Sequence, residues 1–260
     1  MTETPLPLIM DIGKQEYARI NDPKAKEADT HFAAVRKSIL ARDANTCQGC
    51  GILLATPDKT TGCGLDVHHR NGNPHDNNPD NLISLCPLCH GIFHIGYFAR
   101  RFGRSMQLIY CPELTQNQCN LLSWSMAMAI WLAKQYPEPD QFSITNKVEI
   151  VLASLAARTQ VPVDYFDKSA QTEALNASLR EESTIAFFAT LLGMLRSHEP
   201  KAYAEREKWL QGLRIFYNPK APEPFTDRQG HSLLERLAAL PGWQAGPLWV
   251  EHWCFIGNNT

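Results

Sequence analysis

Two C-x-x-C pairs, "CQGC" at 47–50 and "CPLC" at 86–89, constrain this chain more than any other feature. A C-x-x-C turn brings two sulfurs within reach of one ion, and two such turns complete the tetrahedron that Zn²⁺ accepts. Cys47, Cys50, Cys86 and Cys89 are therefore the expected ligands of a structural zinc ion, and the chain between them must fold back so that the two turns meet. The sequence holds eight cysteines. Cys63 could replace one ligand but has no partner at knuckle spacing. Cys111, Cys119 and Cys254 stand in apolar surroundings and read as core residues. The stretch "MTETPLPLIMDIGKQ" has no basic region followed by a long apolar run, which predicts no signal peptide and a cytoplasmic chain. In that compartment paired cysteines point to metal rather than to disulfides.

The chain of 260 residues has room for one large domain or two small ones. Its net charge of −2 gives no global basic footprint of the kind a DNA-binding protein usually carries, although a local patch is compatible with it. The longest apolar runs, "MAMAIWLA" and "IAFFATLLGML", are too short to span a bilayer, so no direct membrane insertion is expected. Residues 1–29 read as a leader. "THFAAVRKSILARD" predicts a helix that Thr30 can cap, with Phe32, Val35, Ile39 and Leu40 on one face. Met106–Tyr110 reads as a strand before a break at Pro112. A helix from Thr115 to about Lys134 follows, with Thr115 and Gln118 as a capping box and Leu122, Met126 and Ile130 on its core face. Trp124 and Trp131 fall on another face, where at least one can reach an interface. "PEPDQFS" at 137–143 reads as a linker. Helical patterns follow near 144–158, 170–197 and 200–214. The expected class is α+β: a zinc unit at 30–136 with an appended strand and helix, a mostly helical region at 144–217, and a tail at 218–260 carrying Trp243, Trp249 and Trp253.

The stretch "LDVHHRNGNPHDNNPDNLISLCPLCHGIFH", residues 65–94, holds five histidines and two of the cysteines. "LDVHH" reads as a short strand ending in two histidines, and "DNLISLC" as a loop turning into the second knuckle. "CHGIFH" opens a helix with His90 and His94 four residues apart on one face. This order resembles the HNH, or ββα-metal, nuclease motif. The resemblance implies that His68 and His90 bind a second divalent metal such as Mg²⁺, Mn²⁺ or Ni²⁺, with His94 as a candidate third ligand. It makes His69 the general base and Asn81 the residue that orients it. A base near neutral pKa and one metal would suit phosphodiester hydrolysis. The other readings are a fold relic, or histidines that only hydrogen-bond within the domain. His75 lies in a polar loop and reads as solvated. Arg100, Arg101 and Arg104 in "ARRFGR" read either as a grip on nucleic-acid phosphates or as a solvated basic turn.

A longer resemblance runs over about residues 35–133. "ILARDANTCQGCG", "NLISLCPLC" and above all "LIYCPEL" leading through "TQ" into an apolar helix resemble the IcmJ/DotN family of type IVB secretion and conjugation systems. The resemblance implies a zinc subunit of a type IV coupling complex that binds the carboxy-terminal extension of the coupling ATPase, alongside other coupling-complex subunits. It also implies recruitment to the inner membrane through that complex. The family resemblance implies use of the four cysteines without reliance on nuclease histidines. This chain departs from that pattern by keeping "VHH" and "CHGIFH" whole, so a scaffold and a nuclease both stay open.

Overall fold

A computed structural model describes residues 6–13, 22–55, 63–135, 141–158, 184–227 and 229–240. The fold is α+β, as expected, with helices around two small antiparallel sheets. Helix α1 spans Ala25–Arg42. It starts before Thr30, whose hydroxyl donates to the Lys26 carbonyl inside the helix instead of capping it. Its inner face is the expected one: Ile39 and Leu40 are buried, and Phe32 and Val35 pack partly against the core.

Strand β1 (Asp66–His69) pairs with β2 (Leu82–Leu85), with His68 opposite Ile83 and His69 opposite Leu82. The segment 82–85, read from the sequence as loop, is a strand buried at every position. The end of α1 holds it in place: the Arg42 guanidinium donates to the Leu82 carbonyl, and the Asp43 carboxylate accepts from the Ser84 N–H. Helix α2 (Pro87–Phe93) follows directly, completing a ββα unit. Helix α3 (Ile95–Phe102) continues after a break at His94.

Strand β3 is Met106–Tyr110, as expected, and α4 is Gln116–Gln135. The capping box is present in both directions: the Thr115 N–H donates to the Gln118 side chain, and the Gln118 N–H donates to the Thr115 hydroxyl. α4 is wedged between two hydrophobic clusters. Trp124, Ala127 and Met128 belong to the main core around the ββα unit. Leu122, Met126 and Ala129 join Ile109, Cys111, Val148, Leu155 and Phe216 on the other side. Trp124 is fully buried, so it offers nothing to an interface, whereas Trp131 is half-buried.

Beyond α4 lie α5 (Gln141–Ala156), α6 (Thr184–His198), α7 (Pro200–Ala204) and α8 (Arg206–Trp209). The mostly helical reading of 144–217 needs one correction: Leu213–Tyr217 is a strand, β4, paired along its whole length with β3. Its alternating Leu213, Ile215 and Tyr217 enter the main core, and the side-chain amide of Gln116 serves its other edge by bonding both the N–H and the carbonyl of Ile215. A local helical pattern could not foresee a strand whose partner lies about a hundred residues earlier. Helix α9 (Leu233–Ala238) closes the described chain, capped by Ser232. Phe225, just before it, packs edge-on to Trp124 at 4.9 Å between ring centres.

Residues 6–13, within the stretch read as a leader, run across the molecule without regular secondary structure. Leu8 and Met10 are buried. The Leu6 N–H donates to the Gln48 carbonyl, and Asp11 bonds the backbone of Ile92 and Ile95. The Asp11 carboxylate accepts from Arg196, Tyr203 and Arg206, tying this segment to α6, α7 and α8. Cys254, Trp243, Trp249 and Trp253, residues 170–183 of the expected helix, and most of the expected linker lie outside the described residues. Among the described residues no helix is long and apolar enough to cross a membrane.

Candidate metal centres

The two knuckles form by different local devices. After Cys50 the backbone turns through Gly51 at φ 78°, a left-handed conformation that favours glycine, and the Gly51 N–H closes on the Cys47 carbonyl. The second knuckle is the first turn of α2: Cys86 is its N-cap, Pro87 occupies the first helical position, and the His90 N–H donates to the Cys86 carbonyl. The Gln48 N–H donates to the Ser84 carbonyl and brings the turns together.

The outcome is one cluster. The sulfurs of Cys47, Cys50, Cys86 and Cys89 all lie within 4.8 Å of one another, and all four residues are buried. The Cys50 and Cys86 sulfurs are 3.7 Å apart. A tetrahedral ion with metal–sulfur bonds of about 2.3 Å would place its ligands about 3.8 Å apart, so the set fits a metal such as zinc. Cys63 is buried elsewhere in the core and is not part of the cluster. Burial opposes a thiolate at Cys47, but hydrogen bonds from Cys50, Cys86 and Cys89 outweigh it and hold its pKa well below 9.0. Cys89 is pushed well above 9.0 by burial and by Cys47, Cys50 and Cys86. A central cation is what such a cluster needs to shed its remaining protons.

Three N–H donors point at the sulfurs of the cluster. The Cys86 N–H lies 3.2 Å from the Cys47 sulfur. Asn120 Nδ2 lies 3.3 Å from the Cys89 sulfur, and Trp124 Nε1 lies 3.4 Å from the Cys86 sulfur. Asn120 and Trp124 sit one turn apart on α4, so the helix is fastened to the centre by charge-directed bonds as well as packing. Asn120 in turn accepts from Gln116 at 2.9 Å, which extends the network to the edge of β4. Sequence reasoning did not single out Asn120 or Gln116, and it read Trp124 as a candidate interface residue rather than a partner of the cysteine centre. The available signal was Asn120 inside an otherwise apolar helix, because a buried amide requires partners.

The histidines form a second cluster. Ligand atoms of His68, His90 and His94 lie within 4.8 Å of one another. His68 Nδ1 and His94 Nε2 are 3.3 Å apart, and Phe93 stacks on the His68 ring at 4.6 Å. His94 is not in the same helix as His90, as expected from spacing, but at the joint between α2 and α3; the rings still meet edge-to-face at 4.7 Å. The Asp66 carboxylate is 3.0 Å from His90 Nδ1, an arrangement that leaves Nε2 as the ligating nitrogen. Burial, reinforced by the neighbouring histidines, lowers the pKa of His68 from 6.5 to about 2. Burial and His90 lower that of His94 to about 3. Neutral imidazoles are the form that binds metal, so the donor set fits a divalent ion.

His69 points away from this cluster. Its ring lies 5.0 Å from that of Phe32, and its Nε2 is 2.9 Å from Asn77 Oδ1. Burial lowers its pKa from 6.5, against the opposing effect of Asn77. Asn81 does not reach His69. Its side chain bonds Asn71 and the Asp76 carbonyl and ties off the 70–81 loop. His75 is paired with Asp22 at 3.0 Å. Arg100, Arg101 and Arg104 are exposed on α3 and the turn after it; Arg100 bonds the Gly96 carbonyl of its own helix, and Arg101 lies over the Phe102 ring. A cleft of about 660 Å³ opens beside the first knuckle, between Leu6, Gln48, Gly51, Arg70 and the first turns of α4.

No family model matches the chain. Among curated proteins, the Type 4 apparatus protein DotN of Legionella pneumophila subsp. pneumophila is 24% identical over 161 residues, covering 62% of this chain and 68% of DotN. That match, together with four cysteines gathered into one metal-competent cluster, supports the resemblance of the chain to the IcmJ/DotN family.

Proposed function

We propose that this protein is a zinc-bearing subunit of a type IVB secretion or conjugation coupling complex, in which it binds the carboxy-terminal extension of the coupling ATPase. The observation that carries the reading is the cysteine cluster wired into α4, in a chain related over most of its length to a type IV apparatus protein. Zinc at Cys47, Cys50, Cys86 and Cys89 is structural, since four thiolates close the tetrahedron and leave no position for substrate. Most of α4 is buried within the chain, so partner contact falls on its first turns beside the cleft, its carboxy-terminal end and the later helices. The protein acts in the cytoplasm, at the inner membrane through its complex. Co-purification tests this: the ATPase and other coupling subunits should be recovered with tagged protein carrying one zinc per chain. Zinc-loaded protein that recovers none of them would refute it.

The histidine cluster supports a second reading, an HNH endonuclease. His68, His90 and His94 would hold a divalent ion that stabilises charge developing on a phosphodiester, and His69 would accept a proton from water. Its support is the convergent triad with Asp66 behind His90. Incubation with plasmid DNA and Mg²⁺, Mn²⁺ or Ni²⁺ decides it: this reading requires cleavage that His69→Ala abolishes.

A further inference from the structure

We propose that the outward faces of α3 and α6 together dock the protein peripherally on an anionic lipid bilayer. Ile95, Phe98, Ala99 and Phe102 are buried, so the opposite side of α3 faces water. The exposed positions of α3 and the turn after it are Tyr97, Arg100, Arg101 and Arg104. They fall at i, i+3, i+4 and i+7, on one face. Among the described residues none of the three arginines forms an ion pair: Arg100 bonds the Gly96 carbonyl, and Arg101 lies over the Phe102 ring. The carboxylate contact of this turn runs inward, from the buried Ser105 to Glu223. The sequence holds no Asp or Glu between Asp80 and Glu113, and none from Thr184 to His198, so neither helix carries a counter-charge. α6 packs against α3, and its exposed Ala186, Thr190 and Met194, each one turn from the next, form an uncharged ridge. Tyr97 and Met194, one on each helix, are both 56% exposed. Guanidinium groups without carboxylate partners take phosphate. Exposed tyrosine and methionine beside them add nothing against a sugar–phosphate backbone, but suit the boundary between lipid headgroups and acyl chains. The contact is peripheral, since no described helix can cross a membrane.

This contact needs no other subunit, so it is tested on the full zinc-loaded chain alone, and its failure leaves the coupling-complex reading standing. The test is co-sedimentation at low salt with vesicles of phosphatidylcholine and phosphatidylglycerol in equal parts, against vesicles of phosphatidylcholine alone. The wild type should bind the mixed vesicles and not the neutral ones, and added salt should release it. Each basic residue near such a surface strengthens binding roughly fivefold, so the triple variant Arg100→Gln, Arg101→Gln, Arg104→Gln should bind about 100-fold more weakly. Lysine at the same three positions keeps the charge and should bind within about threefold of wild type. The double variant Tyr97→Ser, Met194→Ser keeps every arginine and should still weaken binding, which a purely ionic contact would not show. All five side chains are exposed, so zinc content and circular dichroism should match the wild type in each variant. A wild type that binds both vesicles equally or neither, or a folded triple glutamine variant that binds like wild type, would overturn the proposal. So would tighter binding to duplex DNA than to the mixed vesicles, unaffected by Tyr97→Ser and Met194→Ser, which would give this face to nucleic acid.

Discussion

Replacing Asn120 with alanine isolates the link between the cysteine centre and α4. Asn120 is fully buried, donates to the Cys89 sulfur and accepts from Gln116. A hydrogen bond to a charged partner contributes about 1.5–3 kcal/mol and a neutral one about 0.5–1.5, so losing both costs roughly 3 kcal/mol. At about 2–4 °C per kcal/mol for a chain of this size, the melting temperature should fall by roughly 6–12 °C. The thiolate also loses a donor that steadies its charge, and loss of such outer partners typically weakens metal affinity by about 10–100-fold. Chelator competition reads the affinity and circular dichroism the melting. Asn120→Asp should hold metal less well than Asn120→Ala, because it sets a carboxylate against the thiolates. If Asn120→Ala holds metal within about twofold of wild type and melts within about 2 °C of it, the network carries no energy and the argument fails.

Cys47→Ser or Cys89→Ser should give insoluble or protease-sensitive protein with no bound zinc, checked by elemental analysis and limited proteolysis. Arg206→Ala removes the bonds from that side chain to Asp11 and the Met10 carbonyl, and should cost about 2 kcal/mol in urea unfolding as residues 6–13 loosen. For pH, His68 and His94 have folded pKa values depressed to about 2 and about 3. As pH falls through about 6.5 the unfolded chain takes up protons that the folded chain refuses, so each histidine removes about 1.4 kcal/mol of stability per pH unit, and neither affects stability above that range. Urea midpoints at pH 7.5 and 5.5 should show this loss, and the double variant His68→Gln, His94→Gln should lack that part of it.

Features with a local cause were legible in the sequence. The knuckles follow from cysteine spacing, α4 from its capping box and apolar run, and β3 from "MQLIY" ahead of a proline. His68, His90 and His94 were readable as a group because each belongs to a short element whose order the motif sets. What escaped depends on partners distant in sequence. β4 is a strand because β3 and Gln116 receive it, and "LRIFY" alone does not announce that. "LPLIMD" has no periodicity, yet Leu8, Met10 and Asp11 fasten the zinc unit to the later helices. The hydrogen-bond partner of His69 was not legible for a related reason. Asn71, Asn73, Asn77, Asn78 and Asn81 share one loop, and only its folded path decides which of them reaches the ring.

The central claim is that this is a partner-binding zinc subunit, and calorimetric titration of the purified, zinc-loaded chain with the carboxy-terminal extension of its coupling ATPase tests it most directly. The account predicts a saturable one-to-one complex that His69→Ala leaves unchanged and that zinc removal abolishes. No complex with that extension, alongside metal-dependent DNA cleavage lost in His69→Ala, would contradict it and make the histidine cluster the working site.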